Sequence, residues 1–131
     1  MPDLKLHKHP LPKNLNKTTR GVGNRGENEA CKFLKRQGYK IIARNFHNRT
    51  GEIDIVALDH NVLVFVEVKT RFSYTYGLPE ESVTPQKINS IVRTGQYFKL
   101  LNPQTPDLMR VDVVAIDYVE NTTRLLKNVS Q

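Results

Sequence analysis

Two short runs hold the residues best suited to chemistry. Gly51-Glu52-Ile53-Asp54-Ile55-Val56-Ala57-Leu58 is followed, after Asp59-His60-Asn61, by Leu63-Val64-Phe65-Val66-Glu67-Val68-Lys69. Apart from their charges both runs are mostly apolar, β-branched and aromatic, so each reads as a strand, and the polar break between them has hairpin size. Side chains alternate faces along a strand. Leu63, Phe65, Glu67 and Lys69 therefore share one face, and Val64, Val66 and Val68 the other. In the first run Glu52, Asp54, Val56 and Leu58 share a face, and antiparallel pairing would bring Asp54 beside Glu67. Two carboxylates and a lysine then form a hard-oxygen site for Mg²⁺ with a cation beside it, which suits phosphodiester hydrolysis. A plainer reading of Glu67 and Lys69 is a salt bridge at a strand end. Either way, charges inside an apolar sheet are costly unless something compensates them.

The elements that must position these groups follow from periodicity. Asn24 to Gln37 predicts a helix stopped by Gly38, with Ala30, Phe33 and Leu34 as its apolar stripe. Glu27 joins the inner edge of that stripe, with Cys31, while Glu29 falls outside with Lys32 and Arg36. Glu27 either favours the positive helix N-terminus or aims a further carboxylate at the metal. Tyr39 to Phe46 predicts a strand around Ile41 and Ile42, and the polar turn after it leads into the acidic run. Arg44 and Arg49 there are candidates for phosphate contact or for ordinary turn solvation.

After Lys69, the stretch Thr70 to Pro79 mixes Arg71, hydroxyls and the aromatics Phe72, Tyr74 and Tyr76 with no helical period, and is read as a loop at the mouth of the site. Its aromatics could stack on unpaired bases, pack back on the core or meet a second subunit. Thr84-Pro85 starts a second helix, whose stripe of Ile88, Ile91, Val92, Gly95 and Phe98 ends before Pro103. Lys87 lies in its first turn, where a cation opposes the helix dipole; it suits a phosphate contact or simple solvation. Met109 to Tyr118 predicts a strong strand in which Asp112 has a structural role with Arg110 or a neighbouring strand. Thr122 to Val129 is an expected edge strand. The expected fold is an α/β sandwich with a central mixed β-sheet flanked by helices, in the order α-β-β-β-α-β with one further edge strand.

The chain has 131 residues and a net charge of +7. Residues 1–50 carry 12 basic against three acidic side chains, whereas residues 51–131 carry 8 against 10, so the excess is confined to the first part. A polyanion is the natural partner, and nucleic acid is favoured over membrane because no basic amphipathic anchor is evident. A solvated basic tail that aids solubility is the plainer alternative. Residues 1–21 contain three prolines and no periodicity and are expected to form a flexible basic arm, with residues 22–131 as one domain. In the arm, Lys5, Lys8, Lys13, Lys17 and Arg20 suit phosphates, whereas His7 and His9 lack further ligands at useful spacing for a metal. No apolar run reaches membrane-spanning length and the start lacks a secretory apolar core, so a cytoplasmic location is expected. Cys31 is the single cysteine, which rules out an internal disulfide. Glycine-rich phosphate loops, Cys-x-x-Cys and a nucleophile elbow are all lacking.

Gly51-Glu52-Ile53-Asp54 followed by Phe65-Val66-Glu67-Val68-Lys69-Thr70-Arg71 resembles the signature of the YraN family. The resemblance runs from about residue 20 to residue 118. It takes in Gly26-Glu27 with Ala30 and Leu34, Gly38-Tyr39, Arg44-Asn45, Gly77, Ser82-Val83-Thr84 with Lys87, and Arg110-Val111-Asp112-Val113-Val114-Ala115. That family is assigned to the restriction-endonuclease-like, or PD-(D/E)xK, superfamily, and the acid, spacer, Glu-x-Lys pattern is also similar to that of archaeal Holliday junction resolvases. Val111 stands where the family usually carries an aromatic, and Ile53 where the wider superfamily commonly has proline.

The resemblance implies a restriction-endonuclease-like sandwich and an ancestral nuclease site. In that site Asp54 and Glu67 would bind Mg²⁺, with Mn²⁺ as an alternative and the Val68 carbonyl as a third oxygen. Glu27 would add a ligand directly or through water, and Lys69 would act on the attacking water or the phosphate. Arg20, Arg25, Arg44, Arg49, Arg71 and Lys87 are the expected nucleic-acid contacts. With no base-reading motif, the expected substrate is branched or junction DNA, and a junction-cutting enzyme is expected to be a homodimer because two strands must be cut. The alternative is a non-catalytic nucleic-acid-binding accessory protein on the same fold.

Overall fold

Alternating and continuous apolar runs pair into one mixed sheet. The computed structural model of the chain describes residues 19–75 and 77–130, with side chains from Arg25 onward. The order is α1 (Thr19–Arg36), β1 (Lys40–Asn48), β2 (Gly51–Asp59), β3 (Val62–Arg71), a 3-10 turn (Pro79–Ser82), α2 (Pro85–Leu101), β4 (Leu108–Asp117) and β5 (Thr122–Leu126). The five strands lie in sequence order across the sheet. β1, β2 and β3 are antiparallel neighbours, β4 runs parallel to β3, and β5 returns antiparallel along β4. Parallel neighbours need a long crossover, and α2 supplies it. The expected α/β order and edge strand are both present.

One helix covers each face. Ala30, Cys31 and Leu34 of α1 pack on Ile55, Ala57, Val64, Val66, Val114 and Ile116. Ile91 and Phe98 of α2 pack on Val56, Leu58, Leu63, Phe65 and Val111. Full burial of each large apolar side chain contributes about 1.5–3 kcal/mol, so this double packing holds β2 and β3 rigidly at the centre of the sheet. Gly95 lets α2 approach closely: a Cβ there would come within 2.3 Å of the Phe65 ring.

The helix signals act as expected. Thr84 caps α2, its hydroxyl accepting the Lys87 N–H at 3.1 Å, with Pro85 following. Gly38 (φ +92°) ends α1, and the Tyr39 N–H closes on the Leu34 carbonyl at 2.9 Å.

Several boundaries differ from expectation. α1 starts at Thr19 rather than Asn24, because the helix continues through Gly21 and Gly23 despite their poor propensity. β3 runs on through Thr70 and Arg71, which its parallel pairing with β4 keeps in the sheet. β5 stops at Leu126 instead of Val129. The left-handed backbone of Asn128 (φ +59°) turns the chain out of the edge, and the Asn128 N–H goes to the Asp112 carboxylate at 2.9 Å. Lys5, His7, Lys8, His9, Lys13 and Lys17 lie outside the described residues, as does the side chain of Arg20. Among the described residues no helix is long and apolar enough to cross a membrane.

The expected structural role of Asp112 is met. Its fully buried carboxylate takes the Arg110 guanidinium at 3.0 Å and the Tyr39 hydroxyl at 2.8 Å, and Arg110 also reaches Asp59 at 2.5 Å. This network ties the loop after α1 to the end of β2 and the start of β4.

Candidate active site

The site forms where β2 leaves β3. Their paired register runs from Asp59↔Val62 to Ile55↔Val66, so Asp54 and Glu67 are the next facing positions. There the ladder gives way to a side chain: Asp54 Oδ2 accepts the Val68 N–H at 2.8 Å. Strict alternation also fails at this point. Ile53 packs in the α2-side cluster together with Val56, three residues on. A regular strand would put those two on opposite faces, so the backbone irregularity sits at Asp54.

The partner strand is irregular too. Asn45, opposite Asp54 in the β1–β2 register, adopts φ +54°. In the amide orientation that satisfies both groups, Asn45 donates to Glu27 Oε1 at 2.8 Å. Arg44 Nη2 lies 3.7 Å from the other oxygen of Glu27. Glu27 thus descends from α1 onto a cradle of consecutive β1 side chains.

Glu67 is buried, and Lys87 Nζ from the first turn of α2 lies 3.5 Å from its Oε2. Lys69 comes two residues later on the same face of β3, with no ion pair or side-chain hydrogen bond among the described residues. One acid, Glu27, therefore comes from α1, one from each central strand, and the flanking cations from β3 and α2.

Electrostatics follow from this crowding. Burial, then the charge and hydrogen bond of Glu67, push Asp54 well above the ordinary carboxylate range, while the Val68 N–H and Lys87 pull it back. Burial and the charge of Asp54 raise Glu27 to about 7, against the pull of Arg44 and Asn45. Desolvated carboxylates this close are stabilised by a proton or by an added cation. Asp54 and Glu67 offer hard oxygen donors of the kind Mg²⁺ takes, and that ion needs only one or two carboxylates when water completes its shell. Among the described residues, no three His, Cys, Asp or Glu side chains form a complete metal cage. Glu27 accordingly acts on Asp54 through its charge.

The remaining basic residues have varied settings. Arg25 on α1 is exposed and 3.4 Å from Glu29. Arg49 is exposed in the β1–β2 turn. Arg44 and Lys87, expected to meet phosphates, are held against Glu27 and Glu67. Arg71 ends β3; its Nη1 donates to the Thr70 carbonyl at 3.1 Å, and its buried Nε has no partner among the described residues. Two relationships escaped sequence reasoning, the Lys87–Glu67 pair and the Asn45–Glu27 cradle. The lysine opposing the helix dipole was the available signal for the first.

The model of the uncharacterised protein family UPF0102 matches residues 26–116, a span containing every acid and lysine of this site. The chain belongs to the UPF0102 family. This is the YraN-like family that the motifs resemble. Among similar UPF0102 proteins, one from Persephonella marina is 40% identical over 106 residues, covering 81% of this chain and 90% of that protein. One from Lachnoclostridium phytofermentans is 44% identical over 117 residues, covering 87% and 94%. One from Chlorobium phaeobacteroides is 44% identical over 95 residues, covering 72% and 75%.

Proposed function

We propose that this UPF0102 chain is a metal-dependent endonuclease that hydrolyses DNA phosphodiester bonds, with junction or branched DNA as substrate in repair or recombination. The observation that carries the reading is the facing of Asp54 and Glu67 across β2 and β3, with Lys69 on the Glu67 face. A structural salt bridge needs one acid and one base. Here two acids crowd together and a third, Glu27, has Asp54 as its strongest charged neighbour. The order of helix, three antiparallel strands, crossover helix and parallel strand supports a restriction-endonuclease-like sandwich.

Bound at Asp54 and Glu67, Mg²⁺ or Mn²⁺ would supply charge stabilisation at the scissile phosphate and a more acidic water. The Val68 carbonyl is the third oxygen assigned to that site, and the Asp54 bond to the Val68 N–H anchors the peptide just before it. Lys69 orients the attacking water and offsets charge at the phosphate in the transition state. Glu27 holds a water of the site through its carboxylate. Arg25, Arg49 and Arg71 steady the backbone, so binding weakens steeply with salt. A homodimer would present two such sites to a junction.

The test is cleavage of labelled duplex, single-stranded, flap and four-way junction DNA with Mg²⁺ or Mn²⁺, comparing the natural chain with Lys69→Ala. Metal-dependent cutting that falls by about 10²-fold or more in the variant is the expected result. Binding without cutting on every substrate would replace the enzyme with a non-catalytic binding module.

A further inference from the structure

At the strand ends beside the site, Phe72 and Tyr118 continue the parallel register of β3 and β4. That register ends at Arg71↔Asp117, and the Tyr118 N–H still reaches the Arg71 carbonyl at 2.8 Å. The next two side chains stack face to face, with ring centroids 4.5 Å apart and planes inclined by 5°. Tyr118 is fixed from behind: its hydroxyl donates to Glu29 of α1 at 2.8 Å, and the Arg25 guanidinium lies 5.6 Å from its ring centre. Phe72 rests on this support yet remains 58% exposed. Among the described residues the other aromatic of this loop is Tyr74, which is committed differently, its hydroxyl donating to Asp117 at 2.5 Å.

A flat, rigid, half-exposed ring has an ordinary role as packing, but Phe72 contributes little to either core cluster. Its surroundings suit a nucleotide. Arg25, with a 68% exposed side chain, places a cation beside the platform, over Tyr118 and 3.4 Å from Glu29. Phe72 follows Lys69 by three residues, so it lies on the α1 side of β3, opposite Lys69, with its backbone ~10 Å along the chain from that of the lysine; a strand passing over the end of β3 spans that distance in one or two nucleotides. We propose that Phe72, braced by Tyr118, is a stacking platform for an unpaired nucleobase next to the scissile phosphate. Base stacking on an aromatic ring is indifferent to base identity and unavailable from a base inside a duplex. The platform therefore selects substrates with an unpaired nucleotide beside the cut, a narrower class than branched DNA in general. The inference rests on the nuclease reading for the place of the phosphate, although the binding experiment needs no cleavage.

The test is binding without divalent metal, read by fluorescence anisotropy, of the full chain to a labelled single strand and to the duplex of the same sequence. Phe72→Ala is expected to weaken single-strand binding by roughly 5- to 100-fold and duplex binding by less than about 2-fold. Phe72→Trp, which keeps a stacking face, should retain affinity. A single strand made wholly of abasic sites should bind the natural chain and Phe72→Ala alike. Equal weakening on both DNAs, or none, overturns the platform while leaving the nuclease reading intact. Weakening accompanied by loss of a dimer in sedimentation velocity assigns Phe72 to a contact between copies, and also overturns it. If the natural chain binds neither DNA, both readings fall together.

Discussion

The Asp54 carboxylate accepts the Val68 N–H at 2.8 Å, immediately beyond Ile55↔Val66, where the β2–β3 ladder ends. A candidate metal ligand is thus also the hydrogen-bond partner of the strand bearing Glu67 and Lys69. The two roles separate by substitution. Asp54→Ala leaves a Val68 amide without its acceptor and should cost about 1–3 kcal/mol. Asp54→Asn keeps an acceptor while removing a charge that burial and Glu67 disfavour, so metal-free stability should stay within about 1 kcal/mol of the natural chain or rise. Urea unfolding measures the difference. Mn²⁺ is expected to raise the thermal stability of the natural chain, and both variants should lose that gain.

Lys87 lies 3.5 Å from Glu67 and is about one-third exposed. It competes with any bound cation for the same oxygens. Lys87→Met should cost at most about 1 kcal/mol of stability, as partly exposed pairs do. It should also strengthen Mn²⁺ binding by several-fold, roughly the effect of removing one nearby positive charge at a partly solvated site. Isothermal titration of metal into both proteins decides this. Unchanged or weaker binding would mean that Lys87 helps to present Glu67.

Glu27 gives a pH signature. Its folded value of about 7 lies above the ordinary 4.5, with burial as the main cause and Asp54 next. A raised folded value means that the folded chain binds the proton more tightly. The corresponding stability is fully present below about pH 4.5 and lost as pH rises through about 7. Glu27→Gln removes this loss. In metal-free denaturation the variant should match the natural chain near pH 4 and exceed it near pH 8 by about 1–3 kcal/mol. A constant offset across that range would contradict the assignment.

The Arg110 network should be the most fragile polar feature away from the site. Arg110→Met strands the fully buried carboxylate of Asp112 and removes the 2.5 Å bond to Asp59. Breaking a buried pair from one side costs about 3–5 kcal/mol. Calorimetry should find Arg110→Met destabilised far more than Arg49→Ala, an exposed turn substitution expected to stay within about 0.5 kcal/mol.

Some of this architecture is written in local chain geometry. Two-residue alternation puts Glu67 and Lys69 on one face of β3, and hairpin pairing across a short turn leaves Asp54 opposite Glu67. Thr84, Pro85 and Gly38 mark helix ends because capping and left-handed backbone are properties of the residues themselves. The α1 start escaped because Gly21 and Gly23 weaken the local helix signal.

The remaining relationships were settled by packing between elements far apart in sequence. Lys87 meets Glu67 because α2 seats closely on β3 at Gly95. Glu27 meets Asn45 because that residue turns left-handed beneath α1. Phe72 meets Tyr118 because the parallel register of β3 and β4 aligns their ends. By itself the sequence determined which residues share a strand face or a helix stripe, since those spacings are fixed by backbone geometry. Only the tertiary structure decided which faces meet and at what register, because those depend on side-chain volumes interlocking across the whole core.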